Sequence, residues 1–290
     1  FHSSLVEEED EIQLGEEGMK ELIPLIKSEY SIIQSHILSP TTVVGTWGRL
    51  RNAVFSSVLR CLSSTSRCVE VRSKMDDYAE KKQWMMNVGP EKFDALWNAG
   101  RERVEAWRDE GEVGDGRVFR ILEMGTYCGY STVSWCEIMM ELLGVDEGNF
   151  RVHTIELHPP FHRVALEVVE LAGCRERADM LGPCDVEDGV MAVSESSPWV
   201  DLVFIDHDKD CYLSDLKHVM SKGCLKPGCK VVADNVIVAG IDDYLDFVKN
   251  DDRFQGHRIV EGWIEYKGDM EGGKDGVSIC TYTGVAQAKK

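Results

Sequence analysis

Two apolar runs in this sequence end in acids. "VDLVFIDHDKD" (200–210) reads as a buried strand up to Ile205 and then releases Asp206, His207, Asp208, Lys209 and Asp210. "VVADNVIVAG" (231–240) does the same with Asp234 and Asn235. One helical pattern separates the two, so adjacent strand ends would bring Asp206, Asp234 and Asn235 together. Two carboxylates and a carboxamide make an incomplete all-oxygen shell, with positions left for water and substrate oxygens. Such a shell suits a hard divalent cation such as Mg²⁺ better than zinc. Without a cation the two acids repel, and each then needs its own partner.

Two further stretches carry binding chemistry. In "RILEMGTYCGYS" (120–131) a strand leads through Glu123, Gly125, Gly129 and Ser131 into a helix. Glycine permits a sharp turn and close approach of a ligand, and the helix start offers free N–H groups to an anion. Tyr127 stands where a GxGxxG pattern requires glycine, which argues against a dinucleotide oxidoreductase. In "VHTIELHPP" (152–160) Glu156 ends a strand, where nucleoside-binding folds place an acceptor for ribose hydroxyls.

These residues need a scaffold that delivers them to one edge. From about residue 72 the pattern is regular: "RSKMDDYAEKKQWMM" (72–86) has helical spacing and 91–108 gives a second helix. Strand and helix patterns then alternate, with strand 119–124, helix 131–143, strand 151–156 and helix 160–172. Strands near 178–181 and at 200–205, helix 211–222, strand 229–233, helix 241–249 and strands near 257–266 and 276–282 follow. The middle strands are apolar throughout, as when both faces are covered. The expected fold is therefore α/β, a Rossmann-like, doubly wound, mostly parallel sheet with helices on both faces, closed by an antiparallel hairpin. In such sheets ligands bind beyond the carboxyl ends of the strands.

Composition narrows the ligand. A net charge of −19, from 51 acidic and 32 basic residues, disfavours nucleic acid and anionic membranes as partners. A small molecule is expected instead. The ten cysteines show no zinc spacing, and Cys128, Cys136, Cys174 and Cys280 sit inside apolar patterns. A reducing, cytoplasmic setting is the simplest expectation, although a start at Phe1 leaves targeting poorly determined. Residues 1–70, with their early acidic run and the Ser/Thr-rich "CLSSTSRC" (61–68), read as an N-terminal extension, partly helical or flexible. Residues 71–290 read as the enzyme domain.

Taken in order, "QWMMNVG", "ILEMGTYCGYS", "TIEL", "FIDHDKDCYLSD" and "VVADNVIVAG" resemble the catechol O-methyltransferase family over roughly residues 72–284. The resemblance implies a seven-stranded sheet and Mg²⁺-dependent methyl transfer from S-adenosylmethionine to a vicinal diol. It implies Val88, Gly125, Tyr127 and Ser131 around the methionine part of the cofactor, Glu156 on the ribose, and Asp206 and His207 close by, His207 near the adenine. Asp206, Asp234 and Asn235 would hold the metal, and Lys209 would be the general base. Glu265, in "GWIEYKG", matches the acid that binds the second substrate hydroxyl, with Trp84, Met86 and Asn87 lining the site. Three positions depart from the family pattern. Asp208 replaces an aromatic residue, Ala239 replaces a proline, and "GPCD" (182–185) puts Cys184 and Asp185 near the adenine. The alternatives are an enzyme for caffeoyl-type diols and a non-catalytic cofactor-binding protein, which should have lost the base or a metal ligand.

Overall fold

The structure is a computed structural model that describes residues 65–82, 84–111, 116–144, 149–196, 199–263 and 273–284. A helix over 65–81 (α1) precedes α2 (Gly89–Asp109), β1 (Phe119–Met124), α3 (Tyr130–Leu143), β2 (Phe150–Ile155) and α4 (Pro159–Leu171). Then come β3 (Ala178–Leu181), α5 (Val186–Ser196), β4 (Val200–Ile205), α6 (Tyr212–Ser221) and β5 (Leu225–Ala233). The described chain closes with α7 (Asp242–Asn250), β6 (Phe254–Trp263) and β7 (Lys274–Tyr282).

The seven strands lie in the order β3-β2-β1-β4-β5-β7-β6. The first five run parallel, and β7 is antiparallel to both β5 and β6. This is the doubly wound sheet with a closing hairpin that the sequence pattern predicts. Alternate side chains enter opposite cores. Ile121, Leu202 and Phe204 pack with α1 to α4, whereas Leu122, Val203 and Ile205 pack with α5, α6 and α7. Covering on both faces explains the unbroken apolar strands. Truncating a fully buried ring such as Phe204 would cost roughly 3–5 kcal/mol.

The register is what places the site. Met124 of β1 pairs with both Ile155 of β2 and Ile205 of β4, and Ile205 pairs with Ala233 of β5. Four strands therefore end on one line. The residues that follow are Gly125, Glu156, Asp206 and Asp234.

Several local expectations are corrected. Helix α5 has no counterpart in the sequence reading, because only Gly189, Val190 and Val193 of its 11 residues are buried, too few to show a period. Strand β5 starts at Leu225, before Pro227 and Gly228. The first helix starts at residue 65, within the Ser/Thr-rich stretch 61–68, and ends at 81 rather than 86, and Cys68 is fully buried with its Sγ 3.1 Å from that of Cys174. The rest of the expected 1–70 extension lies outside the described residues. Among the described residues no helix is long and apolar enough to cross a membrane.

Candidate active site

A cavity of about 840 Å³ opens at the line where the four strands end. Trp84, Met86, Asn87, Val88, Gly125, Tyr127, Ser131 and Glu156 line it, together with Cys184, Asp185, Asp206, His207, Asp208, Lys209, Asp234, Asn235 and Ala239. These are the site residues expected from the sequence, with one exception. Glu265 lies outside the described residues.

The glycine turn sits at the switch point, where β1 has β2 on one side and β4 on the other. Gly125 has φ +95°, and a Cβ there would run into the carbonyl of Asp206. No other residue fits so close to the neighbouring strand end. Tyr127 follows in a left-handed conformation, φ +48°, with its N–H donating to Glu156 Oε2 at 2.7 Å. The N–H of His158 donates to Glu156 Oε1 at 2.8 Å. Two backbone donors thus fix the Glu156 carboxylate, while each oxygen keeps a lone pair for a ligand. Burial nevertheless raises the pKa of Glu156, against those two N–H donors.

On the β4 side, Lys209 Nζ donates to Asp206 Oδ1 at 3.0 Å and to the Tyr212 hydroxyl at 2.7 Å. The Tyr212 hydroxyl in turn donates to the Asp234 carbonyl at 3.1 Å, so β4 and β5 are joined through the base candidate. His207 Nε2 lies 2.7 Å from Asp215 Oδ2, and its ring stacks on Tyr212. Asp208 is exposed; its Oδ1 accepts the Asp210 N–H and so caps the short turn Lys209–Cys211.

Asp234 is the most constrained acid. It is 1% exposed, its Oδ1 accepts the Asn235 N–H at 2.8 Å, and its Oδ2 accepts from Lys92 Nζ at 2.8 Å. Its pKa is raised, chiefly by burial and also by the charge of Asp206, while Lys92 works against both. The charge of Asp206 therefore reaches Asp234 across the cavity, although each acid also has an ammonium partner of its own, Lys209 for Asp206 and Lys92 for Asp234. Asp206, Asp234 and Asn235 all line the cavity and bring side-chain oxygens to it, the donor type that a hard divalent cation takes. Among the described residues no group of three or more His, Cys, Asp or Glu side chains forms a metal cage, so a cation here would depend on the Asn235 carboxamide and on water.

Comparison with known proteins gives this geometry a lineage. A family model described as a methyltransferase domain matches residues 122–236, the stretch that contains the glycine turn and all four strand ends. Catechol O-methyltransferase B of Danio rerio is 33% identical over 182 residues, 62% of this chain and 61% of that protein. Catechol O-methyltransferase of Sus scrofa is 32% identical over 154 residues, 52% of this chain and 78% of that protein. The chain belongs to the catechol O-methyltransferase family. It spans only 61% of the length of the Danio rerio relative. The O-methyltransferase TomG from Streptomyces achromogenes, solved in complex with SAM, shares the fold with a TM-score of 0.54 at 19% identity, covering 76% of this chain and 90% of that one.

Membership of the catechol O-methyltransferase family frames what sequence reading missed. Lys92, Tyr212, Asp215 and Asp275 all brace residues that face the cavity; Tyr212 and Asp215 fall within "FIDHDKDCYLSD" without an expected role there, and Lys92 and Asp275 fall in no motif. Lys92 follows Pro90 in the first turns of α2, where a lysine ordinarily faces water. Asp275 reads as a hairpin residue in "KDG". Only tertiary packing buries them.

Proposed function

We propose that the chain transfers a methyl group from S-adenosylmethionine to one hydroxyl of a catechol-type vicinal diol, with Mg²⁺ as the second cofactor. The observation that carries this reading is the common row of strand ends that puts Gly125, Glu156, Asp206 and Asp234 around one cavity. Neither a glycine turn nor a pair of acids alone would point so far. The sequence kinship with catechol O-methyltransferases supports the substrate class.

Each side chain then has a task. Glu156 accepts from the ribose hydroxyls, its own geometry fixed by the two backbone donors. Val88, Gly125, Tyr127 and Ser131 form the wall for the methionine part, and His207, Cys184 and Asp185 stand on the adenine side. S-adenosylmethionine supplies a methyl group on a sulfonium centre, open to in-line displacement by an oxygen. Mg²⁺ held by Asp206, Asp234 and Asn235 would make a chelated diol more acidic and fix its orientation. Lys209, beside Asp206 and the Tyr212 hydroxyl, is the proposed general base: once its ammonium has given a proton to solvent, the neutral amine would take the hydroxyl proton. Trp84 and Met86, both exposed at the rim, offer apolar surface to an aromatic ring. Holding both reactants in one geometry supplies much of the remaining acceleration. Glu265 retains the role that its motif implies, on the second hydroxyl.

A second reading concerns substrate size. Asp208 and Ala239 are both exposed at the cavity, where an aromatic ring and a proline would narrow it. That opening favours diols with a bulky side chain, including caffeoyl-type compounds.

The test is incubation with S-adenosylmethionine, Mg²⁺ and a panel of diols, monophenols and caffeoyl compounds, read by mass spectrometry. Methylation of vicinal diols alone, lost with chelator and restored by Mg²⁺, is the expected result. Full turnover in excess EDTA, or equal methylation of monophenols, would overturn it.

A further inference from the structure

Behind the Asp234–Asn235 corner lies a buried set of charges that the proposed chemistry does not use. Asp275, on β7, is fully buried. Its Oδ2 accepts from Asn235 Nδ2 at 2.7 Å, and its Oδ1 accepts the N–H groups of Ile237 and Val238 at 3.1 and 3.3 Å. Lys92, 2% exposed, stands between the two acids: its Nζ is 2.8 Å from Asp234 Oδ2 and 3.9 Å from Asp275 Oδ2. A carboxylate buried so deeply needs this many donors to remain in the fold.

The choice of an acid at position 275 has a directional consequence. An ionised carboxylate can only accept hydrogen bonds. The Asn235 side chain must therefore turn its NH₂ toward Asp275, which leaves its carbonyl Oδ1 as the atom free to serve a ligand. Asn235 itself is held in a left-handed conformation, φ +55°, so the backbone is committed as well. An amide with its NH₂ turned outward would repel a cation at the same place. We infer that Asp275, anchored by Lys92, is a positioning residue that fixes the Asn235 carboxamide with its oxygen toward the cation and, through Ile237 and Val238, ties the rim of the cavity to the same point. This inference rests on the proposed Mg²⁺ site, and its test separates the two.

Asp275→Asn keeps the size and removes the directionality, because asparagine can donate to Asn235 Oδ1 as well as accept. The probe is Mn²⁺ alone, with its binding followed by electron paramagnetic resonance of the cofactor-free protein. Loss of a partner behind a metal ligand typically weakens metal binding 10–100-fold. Asp275→Asn is therefore expected to raise the Mn²⁺ dissociation constant by at least about 10-fold, while the affinity for S-adenosylmethionine, measured calorimetrically, stays within about 2-fold. In an Asn235→Ala background the same change is expected to have no further effect on Mn²⁺, since the carboxamide on which it acts is gone. Unchanged Mn²⁺ affinity in Asp275→Asn, or equal losses in both backgrounds, overturns the positioning role. A wild type that binds no Mn²⁺ at the cavity overturns the metal reading instead. If Asp275→Asn does not fold, the wild type still decides by nuclear magnetic resonance. Protection of the Asn235 side-chain NH₂ from exchange supports the clamp, and exchange at the rate of a free amide refutes it.

Discussion

Replacing Glu123 by glutamine tests whether the glycine turn is built on a buried acid that is kept protonated. Glu123 is fully buried in β1, two residues before Gly125, and its Oε2 accepts from the Thr132 hydroxyl at the start of α3. Burial raises its pKa from an ordinary 4.5 to about 7, against the help of neighbouring hydroxyl donors. Between those two values the folded state holds a proton that the unfolded chain has released. Wild-type stability should thus fall as pH rises from about 4.5 to about 7, then level off. One pKa unit corresponds to about 1.4 kcal/mol, so the full effect is roughly 3 kcal/mol. Glutamine is neutral at every pH, can still accept from Thr132, and lacks this slope. Urea unfolding of both proteins at several pH values between 5 and 8 isolates the term, because every other titrating group is common to the pair. The difference in unfolding free energy should shift toward the variant by roughly 2–3 kcal/mol across the window. A difference that stays flat within about 0.5 kcal/mol would show that Glu123 ionises normally in the folded state.

Four other outcomes are expected. Glu156→Ala removes the acceptor for two hydroxyls and should weaken S-adenosylmethionine binding by roughly 1–3 kcal/mol in calorimetry, while Mn²⁺ binding is retained. Lys209→Ala should lower kcat by roughly 10²–10⁴ with cofactor affinity nearly constant; a near-normal kcat would reduce the residue to a partner of Asp206 and Tyr212. Asp208→Trp with Ala239→Pro should lower KM for simple catechol several-fold, as a restored aromatic contact contributes about 1 kcal/mol, with kcat little changed. If instead cofactor affinity collapses and KM does not move, Asp208 serves the cofactor. EDTA should abolish turnover without lowering the thermal unfolding midpoint by more than a few degrees, because Lys92 and Lys209 already compensate the acids; wholesale unfolding would contradict that pairing.

The parts of this fold that were legible in the sequence are those where one physical requirement acts on a whole stretch. A central parallel strand must be apolar on both faces, so Val200–Ile205 and its neighbours stand out and end visibly at their acids. The glycine turn is legible because only glycine tolerates the approach to Asp206. Helix α5 is hidden because it covers the sheet with little more than two valines. The start of α1 is hidden because serine, threonine and arginine surround the single buried Cys68 in "SSTSRC". Lys92 and Asp275 are hidden for a different reason. Their role comes from partners 142 and 40 positions away, and no local pattern records such a meeting.

The same distances explain why the site can exist before any ligand arrives. Three carboxylates, Asp206, Asp234 and Asp275, converge at the ends of β4 and β5 and the start of β7, and two ammonium groups answer them. Lys92 is sealed inside, bound to the two buried acids, and cannot leave without exposing their charge to an apolar interior. Lys209 is part-exposed and bound to the acid nearest the cavity, so its position can change at modest cost. The two lysines thus differ in how they are held. Lys92 is locked inside the corner, whereas Lys209 stands at its mouth, the place from which the proposed proton transfer would run.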